Sequence, residues 1–85
     1  MKRRTKHEIF MEILKSLSEG KKRGIQIMYQ ARLSYAQTKF YLNFLLRNNL
    51  VYQEEQYGIK VYGITQKGKE LLENYKRIQK AIAEV

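Results

Sequence analysis

The hydrophobic periodicity of this sequence changes at Asn48-Asn49. Before the asparagine pair, apolar residues recur at three- and four-residue intervals, which is typical of amphipathic helices. After it, residues 50–52 and 59–64 form two runs rich in β-branched and aromatic side chains, with Tyr57-Gly58 near the bend between them. Runs of this kind predict an antiparallel β-hairpin. We therefore expect an α+β fold in which helices pack against a small sheet.

Two capping boxes mark helix starts in the first part of the chain. Thr5-x-x-Glu8 has the spacing at which a hydroxyl caps an early backbone N–H and a carboxylate reaches back to the cap residue. It predicts a first helix, which Gly20 is suited to end because glycine accepts left-handed backbone angles. Ser34-x-x-Gln37 repeats the spacing and predicts another helix, which ends near the asparagine pair.

The segments between and after these helices complete the order of elements. Residues 25–31 predict a two-turn helix, although two β-branched isoleucines leave a strand as the alternative. Arg32-Leu33 forms a tight link to the next helix, and Thr65 caps a last helix that runs to the C-terminus. A helix, a short turn, a second helix and a hairpin make the winged form of the helix-turn-helix. The sequence thus predicts three helices, a two-stranded wing and a long C-terminal coiled-coil helix.

The charge of the chain favours a polyanionic partner. It has 17 Lys and Arg residues against 8 Asp and Glu residues, a net charge of +9. Residues 1–32 carry nine basic and three acidic residues, or +6. A field of this sign attracts nucleic acid or an anionic membrane surface. The alternative is a basic protein without a polyanionic partner.

Several classes of function are not expected. The chain has no Cys and a single His, His7, so it offers no metal-ligand spacing. It also has no catalytic triad, paired catalytic carboxylates or Gly-rich phosphate loop, and we expect no enzyme activity, cofactor or small-molecule ligand. The longest apolar stretch, around 40–46, is far shorter than the roughly 20 residues of a membrane-spanning helix. We expect a cytoplasmic, nucleoid-associated protein.

A family resemblance supports the same fold. It is carried by Ile27, Met28, Tyr29, Ala31, Leu33, Ser34, Tyr35, Tyr41, Leu42, Leu45, Asn49, Leu50, Thr65, Lys67, Gly68, Leu71 and Leu72. With these residues the chain resembles the small archaeal winged-helix DNA-binding proteins of the crenarchaeal type over nearly its whole length. The resemblance implies dimerisation through a long C-terminal helix and duplex DNA binding by a regulator or chromatin-type protein. Thr38, in place of Leu, and Phe40, in place of a polar or basic residue, depart from the family pattern.

The candidate DNA contacts lie on the presumed reading helix, 34–48, and in the basic segments around it. They are Ser34, Gln37, Lys39, Asn43 and Arg47 in the helix, Lys21, Lys22 and Arg23 before the short helix, Arg3 and Arg4 in the N-terminal tail, and Lys60 in the wing. Gln and Asn can pair with adenine, and Lys and Arg with guanine or phosphate. The alternative for each set is a solvated surface. We expect a minor contribution from the wing, because Glu54 and Glu55 would repel phosphate.

The aromatic residues of the reading helix have a different interpretation. At 100° per residue, Tyr35 falls on the side of Thr38 and Leu42, so we expect it in the core. Phe40 and Phe44 fall on the other side. We expect them to pack against the wing, with an interface or a groove wedge as alternatives.

The last helix carries a possible dimer seam. Alternating steps of three and four join Gly68 to the candidate interface residues, which are Leu71, Tyr75, Ile78, Ile82 and Val85. This heptad spacing is typical of a coiled coil, in either a parallel or an antiparallel pair. Packing on the first helix of the same chain is the alternative. We therefore divide the chain into a basic tail (1–5), a winged-helix domain (6–66) and a dimerisation helix (67–85).

These patterns lead to one functional hypothesis and three alternatives. We expect a homodimer that binds double-stranded DNA as a transcription regulator, with helix 34–48 in the major groove. The alternatives are a nucleoid-type protein of weak sequence specificity, a protein-interaction adaptor that docks a partner on Phe40 and Phe44, and an RNA-binding domain.

Overall fold

The computed structural model describes residues 3–84 of the chain. Its elements are α1 (Lys6–Ser18), β1 (Lys22–Arg23), α2 (Gly24–Ala31), α3 (Tyr35–Arg47), β2 (Val51–Gln56), β3 (Ile59–Ile64) and α4 (Gln66–Ala83). The helix pair α2–α3 followed by the β2–β3 hairpin confirms the predicted winged-helix fold. None of the helices in residues 3–84 has the length and apolar character needed to cross a membrane.

Both predicted capping boxes are present. The Thr5 hydroxyl accepts a hydrogen bond from the Glu8 backbone N–H at 3.1 Å, and the Glu8 carboxylate accepts one from the Thr5 N–H at 3.3 Å. Ser34 and Gln37 form the same pair of bonds at 3.1 and 2.9 Å. These bonds satisfy N–H groups that have no partner within a helix, which is why α1 and α3 begin where the sequence predicts.

The core is built from one stripe of each helix and the base of the sheet. Its buried residues are Ile9, Ile13, Leu14, Leu17, Ile27, Ala31, Leu33, Tyr41, Leu42, Leu45, Leu50, Val51, Ile64 and Leu72. Thr38 is also buried, and its hydroxyl donates to the Ser34 carbonyl at 2.8 Å. Because that bond satisfies the hydroxyl, the departure from Leu at this position leaves no unpaired polar group in the core.

The sheet has three strands where the sequence predicts two. Its order is β1-β3-β2, with both pairs antiparallel. Lys22 and Arg23, expected to form a connector, lie opposite Tyr62 and Val61 as a short edge strand. A pairing of two residues is too short to show a periodicity, so it depends on the neighbouring strand rather than on the local sequence.

The hairpin has the predicted position and turn. Its register runs from Val51 opposite Ile64 to Gln56 opposite Ile59. The two turn residues between the strands, Tyr57 and Gly58, have φ angles of 52° and 77°. Two successive positive φ values are typical of the type I′ turn, whose twist matches that of a hairpin. We call this hairpin, residues 51–64, the wing.

The start of α4 is tied to the end of α3. The Thr65 hydroxyl caps α4 by accepting from the Gly68 N–H at 3.0 Å, and it donates to the Asn49 carbonyl at 2.6 Å. The Lys67 ammonium donates to the Asn48 carbonyl at 3.0 Å. Gly68 is buried against the backbone of Leu50. The Thr-x-Lys-Gly motif therefore fixes the direction of α4 relative to the end of α3.

The close approach at Gly68 gives a stability prediction. A Cβ atom at this position would lie 2.2 Å from the Leu50 carbonyl oxygen, which is backbone and cannot move aside. We expect Gly68→Ala to lower the free energy of unfolding by about 1–3 kcal/mol, measured by urea denaturation. Gly24→Ala is the control, because its Cβ would meet only Tyr62 at 3.7 Å, an ordinary contact. Equal stability of the two variants would contradict this packing.

Candidate nucleic-acid interface

The helix α3 presents one stripe of exposed side chains. Its core-facing residues leave the opposite side to Ala36, Phe40, Asn43 and Arg47, all of which are exposed. Their spacing of three and four residues places them on one helical face, with Lys39 beside them. A protruding helix with an exposed face is the element that enters the major groove in helix-turn-helix proteins.

Gln37 has a double assignment in the sequence, as a cap and as a base contact, and the structure shows the cap. Its side-chain oxygen accepts a hydrogen bond from the Ser34 N–H at 2.9 Å. The side chain is exposed, so its amide nitrogen can still donate to a ligand. A bidentate contact with adenine would require the oxygen to leave the cap. The geometry thus makes Asn43 the better placed of the two amides for base recognition.

On one side of α3 lies a groove shared with α2 and the wing, which we call the sheet-side groove. Its volume is 480 Å³. Its lining residues are Gly24, Ile25, Met28, Tyr35, Thr38, Lys39, Leu42, Asn43, Leu46, Gln53, Lys60 and Tyr62. The groove therefore brings together two predicted cationic contacts, Lys39 of α3 and Lys60 of the wing, above a largely apolar floor.

Tyr35 lies at this groove and not in the core. Its side chain is 69% exposed, which contradicts the prediction. As the first residue of α3 it extends beyond the stripe formed by Thr38 and Leu42, so the core does not reach it. The Lys39 ammonium lies 5.6 Å from the centre of its ring. Burial, together with the nearby Tyr35, raises the pKa of Tyr62, so the Tyr62 hydroxyl keeps its proton at neutral pH.

On the other side of α3 lies a hollow next to the turn between α2 and α3, which we call the turn-side hollow. Its lining includes Arg3, Arg32 and Gln37. Arg32 is a functional candidate that the sequence analysis missed. It is the exposed left-handed residue of the turn, with φ of 55°. Its position immediately before the second capping box was the available signal, because a turn residue there adjoins the start of the reading helix.

Arg4 was predicted to contact DNA, but its guanidinium is engaged within the fold. It donates to the carbonyl oxygens of Ala31 at 2.5 Å and Arg32 at 3.2 Å, and it pairs with Glu12 at 2.6 Å. These bonds satisfy carbonyls at the end of α2 and place a cation at the negative end of its dipole. Arg4 therefore holds the N-terminal segment against the turn, whereas Arg3 beside it is exposed.

The basic segment 21–23 divides among three roles. The Lys21 ammonium pairs with the Glu54 carboxylate at 2.5 Å, and this bond raises the pKa of Lys21 and lowers that of Glu54. Lys22 is half-buried in the edge strand, and Arg23 is exposed. The pairing also changes the electrostatics of the wing, because Glu54 no longer presents an uncompensated negative charge. Glu55 lies directly opposite Lys60, so it too has a neighbouring cation.

The two phenylalanines of α3 pack against α1 and not against the wing. The Phe44 ring lies 4.8 Å from that of Phe10, centre to centre. Phe40 contacts the ring of Tyr41 at 5.3 Å and lies under the Lys6 ammonium at 5.8 Å. Half of the Phe40 side chain stays exposed, on the same face as Asn43.

The seam of α4 is largely exposed in the single chain. Leu72, one position from the seam, is buried, whereas Leu71 and Ile78 are exposed and Ile82 is 68% exposed. Tyr75 is half-buried. Val85, the last predicted seam residue, lies outside the described residues. The far half of α4 therefore carries apolar side chains that the fold of one chain does not cover.

Comparisons with known proteins agree with this geometry. The winged helix-turn-helix family model matches residues 3–83. Sso10a-2, a DNA-binding protein from Sulfolobus solfataricus, is similar in structure with a TM-score of 0.76 and 27% identity, over 95% of this chain and 87% of that one. No curated protein sequence matches the chain significantly.

Two larger regulators share the fold. The transcriptional regulator BldR from Sulfolobus solfataricus has a TM-score of 0.80 and 18% identity, over 88% of this chain and 56% of its own. A MarR family transcriptional regulator from Silicibacter pomeroyi has a TM-score of 0.74 and 22% identity, over 89% of this chain and 54% of its own. The present chain thus spans just over half the length of both regulators.

Proposed function

The chain belongs to the winged helix-turn-helix family, and on that premise we propose that it binds duplex DNA with α3 in the major groove. The observation that carries this proposal is the flanking of α3 by cations on both sides. Lys39 and Lys60 line the sheet-side groove, and Arg3 and Arg32 line the turn-side hollow.

The two cationic flanks fit the geometry of B-DNA. An α-helix fills the major groove, which is about 12 Å wide and is bordered by one phosphate strand on each side. A helix in the groove therefore has a strand along each of its flanks. Cations on both flanks can neutralise both strands, and phosphate contacts of this kind fix the orientation of the helix without reading sequence.

Base recognition is assigned to the exposed face of α3. Asn43 can pair with adenine, and Lys39 and Arg47 can contact guanine or the backbone. Ser34 accepts the capping bond through its oxygen, which leaves its hydroxyl hydrogen to donate to a phosphate. Gln37 contributes through its amide nitrogen while its oxygen remains in the cap.

The known relatives support nucleic-acid binding over catalysis. Sso10a-2 is a DNA-binding protein, and it is matched over nearly the full length of both chains. BldR is a transcriptional regulator that shares the fold. We propose a transcription regulator that acts at the nucleoid in the cytoplasm and has no enzymatic activity.

We further propose that the protein acts as a homodimer through the distal part of α4. Ile78 and Ile82 are exposed on a face that continues the heptad spacing of Leu71 and Tyr75. Exposed apolar side chains in one row favour burial against a second helix. A dimer would present two copies of α3, and the contacts of one copy with DNA would raise the effective concentration of the other.

A nucleoid-type protein of weak sequence specificity is the second candidate function. The engagement of Gln37 in the cap favours it, because it leaves fewer complete hydrogen-bonding groups for base recognition. The phosphate contacts are the same in both cases. The two candidates differ in the contribution of Asn43 to sequence preference.

The salt dependence of binding tests the phosphate contacts. Each neutralised phosphate contributes about 0.9 to the slope of log affinity against log salt concentration. We expect Arg32→Ala and Lys39→Ala each to reduce the slope by that amount, measured by fluorescence anisotropy of a labelled duplex. Lys69→Ala is the control, because Lys69 is exposed on α4 away from the proposed interface. The same slope in all three variants would contradict the proposed flanks.

Asn43 provides the test of sequence recognition. On a duplex obtained by in vitro selection, we expect Asn43→Ala to lose about 1–3 kcal/mol of binding free energy, the value of a bidentate base contact. Affinity for random duplex should change little. Asn74→Ala, which alters an exposed asparagine of α4, is the matched control. Equal losses on selected and random duplex would favour the nucleoid-type function.

The dimer is tested by a charge placed in the seam. We expect Ile78→Lys to produce monomers in sedimentation equilibrium, because the ammonium would lose its hydration in a buried seam. Its affinity for duplex DNA should fall through the loss of bivalency. Ala83→Lys adds the same charge to an exposed position outside the seam and should remain dimeric. A dimeric Ile78→Lys variant would place the interface elsewhere.

A further inference from the structure

The tip of the wing carries an aromatic residue that the fold does not explain. Tyr57 has a φ of 52° and precedes Gly58, with a φ of 77°. The first central position of a type I′ turn favours Asn, Asp or Gly, which adopt left-handed angles at little cost. A bulky residue with positive φ is a conformational outlier. Local turn stability therefore does not account for tyrosine here.

Packing within the chain does not account for it either. The Tyr57 side chain is fully exposed and touches no core residue among those described. Ile59, two residues further, is 48% exposed. A strained aromatic residue that buries nothing indicates a contact outside the chain, since strain of this kind persists where it serves function.

The electrostatics of the wing allow this contact to be nucleic acid. Glu54 is paired with Lys21, and Glu55 lies opposite Lys60. Residues 56–59 carry no charge. The tip is therefore an apolar point on a hairpin whose acidic groups each have a cationic neighbour, and it does not repel phosphate as an acidic wing would.

The position of the wing indicates which part of the duplex its tip meets. Gln53 and Lys60 of the wing line the same groove as Lys39 and Asn43 of α3. With α3 in the major groove, the strand that follows this groove is the one that separates the major from the minor groove. The hairpin on the far side of that strand projects toward the minor groove. Apolar side chains inserted there can unstack a base step and kink the duplex.

We propose that the tip of the wing is a minor-groove wedge, in which the Tyr57 ring inserts at a base step and Ile59 packs against the adjoining deoxyribose. The proposal rests on the proposed DNA-binding function and adds a site that distorts the duplex. Its preferred ligand is a duplex with a flexible pyrimidine–purine step beside the sequence that α3 contacts, because such steps unstack most easily.

The test separates the stability of the turn from the function of the ring. Tyr57→Asn supplies a residue that the turn favours, so we expect a higher midpoint of thermal unfolding. The same variant should bind duplex DNA about tenfold more weakly, as expected for the loss of an aromatic stacking contact. It should also leave a duplex labelled at both ends with the energy-transfer efficiency of the unbound, straight form. Tyr57→Phe keeps the ring and should bend the duplex as the wild type does.

The outcomes distinguish this proposal from the function on which it rests. If the wild type binds and Tyr57→Asn binds and bends equally well, the wedge is wrong and DNA binding by α3 stands. If the wild type binds a duplex without bending it, the wedge is also wrong. If the wild type binds no duplex at low salt, both proposals are wrong. A stabilised Tyr57→Asn variant that binds weakly and leaves the duplex straight supports the wedge.

Discussion

The left-handed turn at Arg32 sets the direction of α3, and the proposed interface depends on that direction. The turn is closed by a hydrogen bond from the Leu33 N–H to the Met28 carbonyl at 3.0 Å, and the Leu33 side chain is buried. Arg4 reinforces it from the N-terminal segment through the carbonyls of Ala31 and Arg32. With α3 held in this way, its buried stripe faces the core and its polar stripe faces outward.

The same constraint separates structural from available cations. A net charge of +9 suggests a uniformly basic surface, but the fold uses part of that charge internally. Arg4 serves the turn and Lys21 compensates Glu54 on the wing. The cations that remain exposed beside α3 include Lys39 and Arg32, one on each flank. Their arrangement, rather than the total charge, gives the surface its match to a duplex.

The sequence predicted those features that depend on neighbouring residues. The capping boxes and the turn at Tyr57-Gly58 were confirmed, because each follows from the chemistry of a few adjacent positions. The predictions that failed depend on distant contacts. Arg4 reaches carbonyls 27 and 28 residues away, and Lys21 pairs with a carboxylate 33 residues away. Periodicity contains no information about such partners, and the exposure of Tyr35 depends likewise on how far the assembled core extends.

The central claim is that the exposed face of α3 lies against a duplex, and an NMR titration of the ¹⁵N-labelled protein with short duplex DNA tests it most directly. The account predicts that the largest changes in amide chemical shift fall on Arg32, on the exposed stripe from Ala36 to Arg47 and on the wing, while α1 and the middle of α4 change little. Shift changes confined to α1 and α4, with α3 unaffected at saturating DNA, would contradict it.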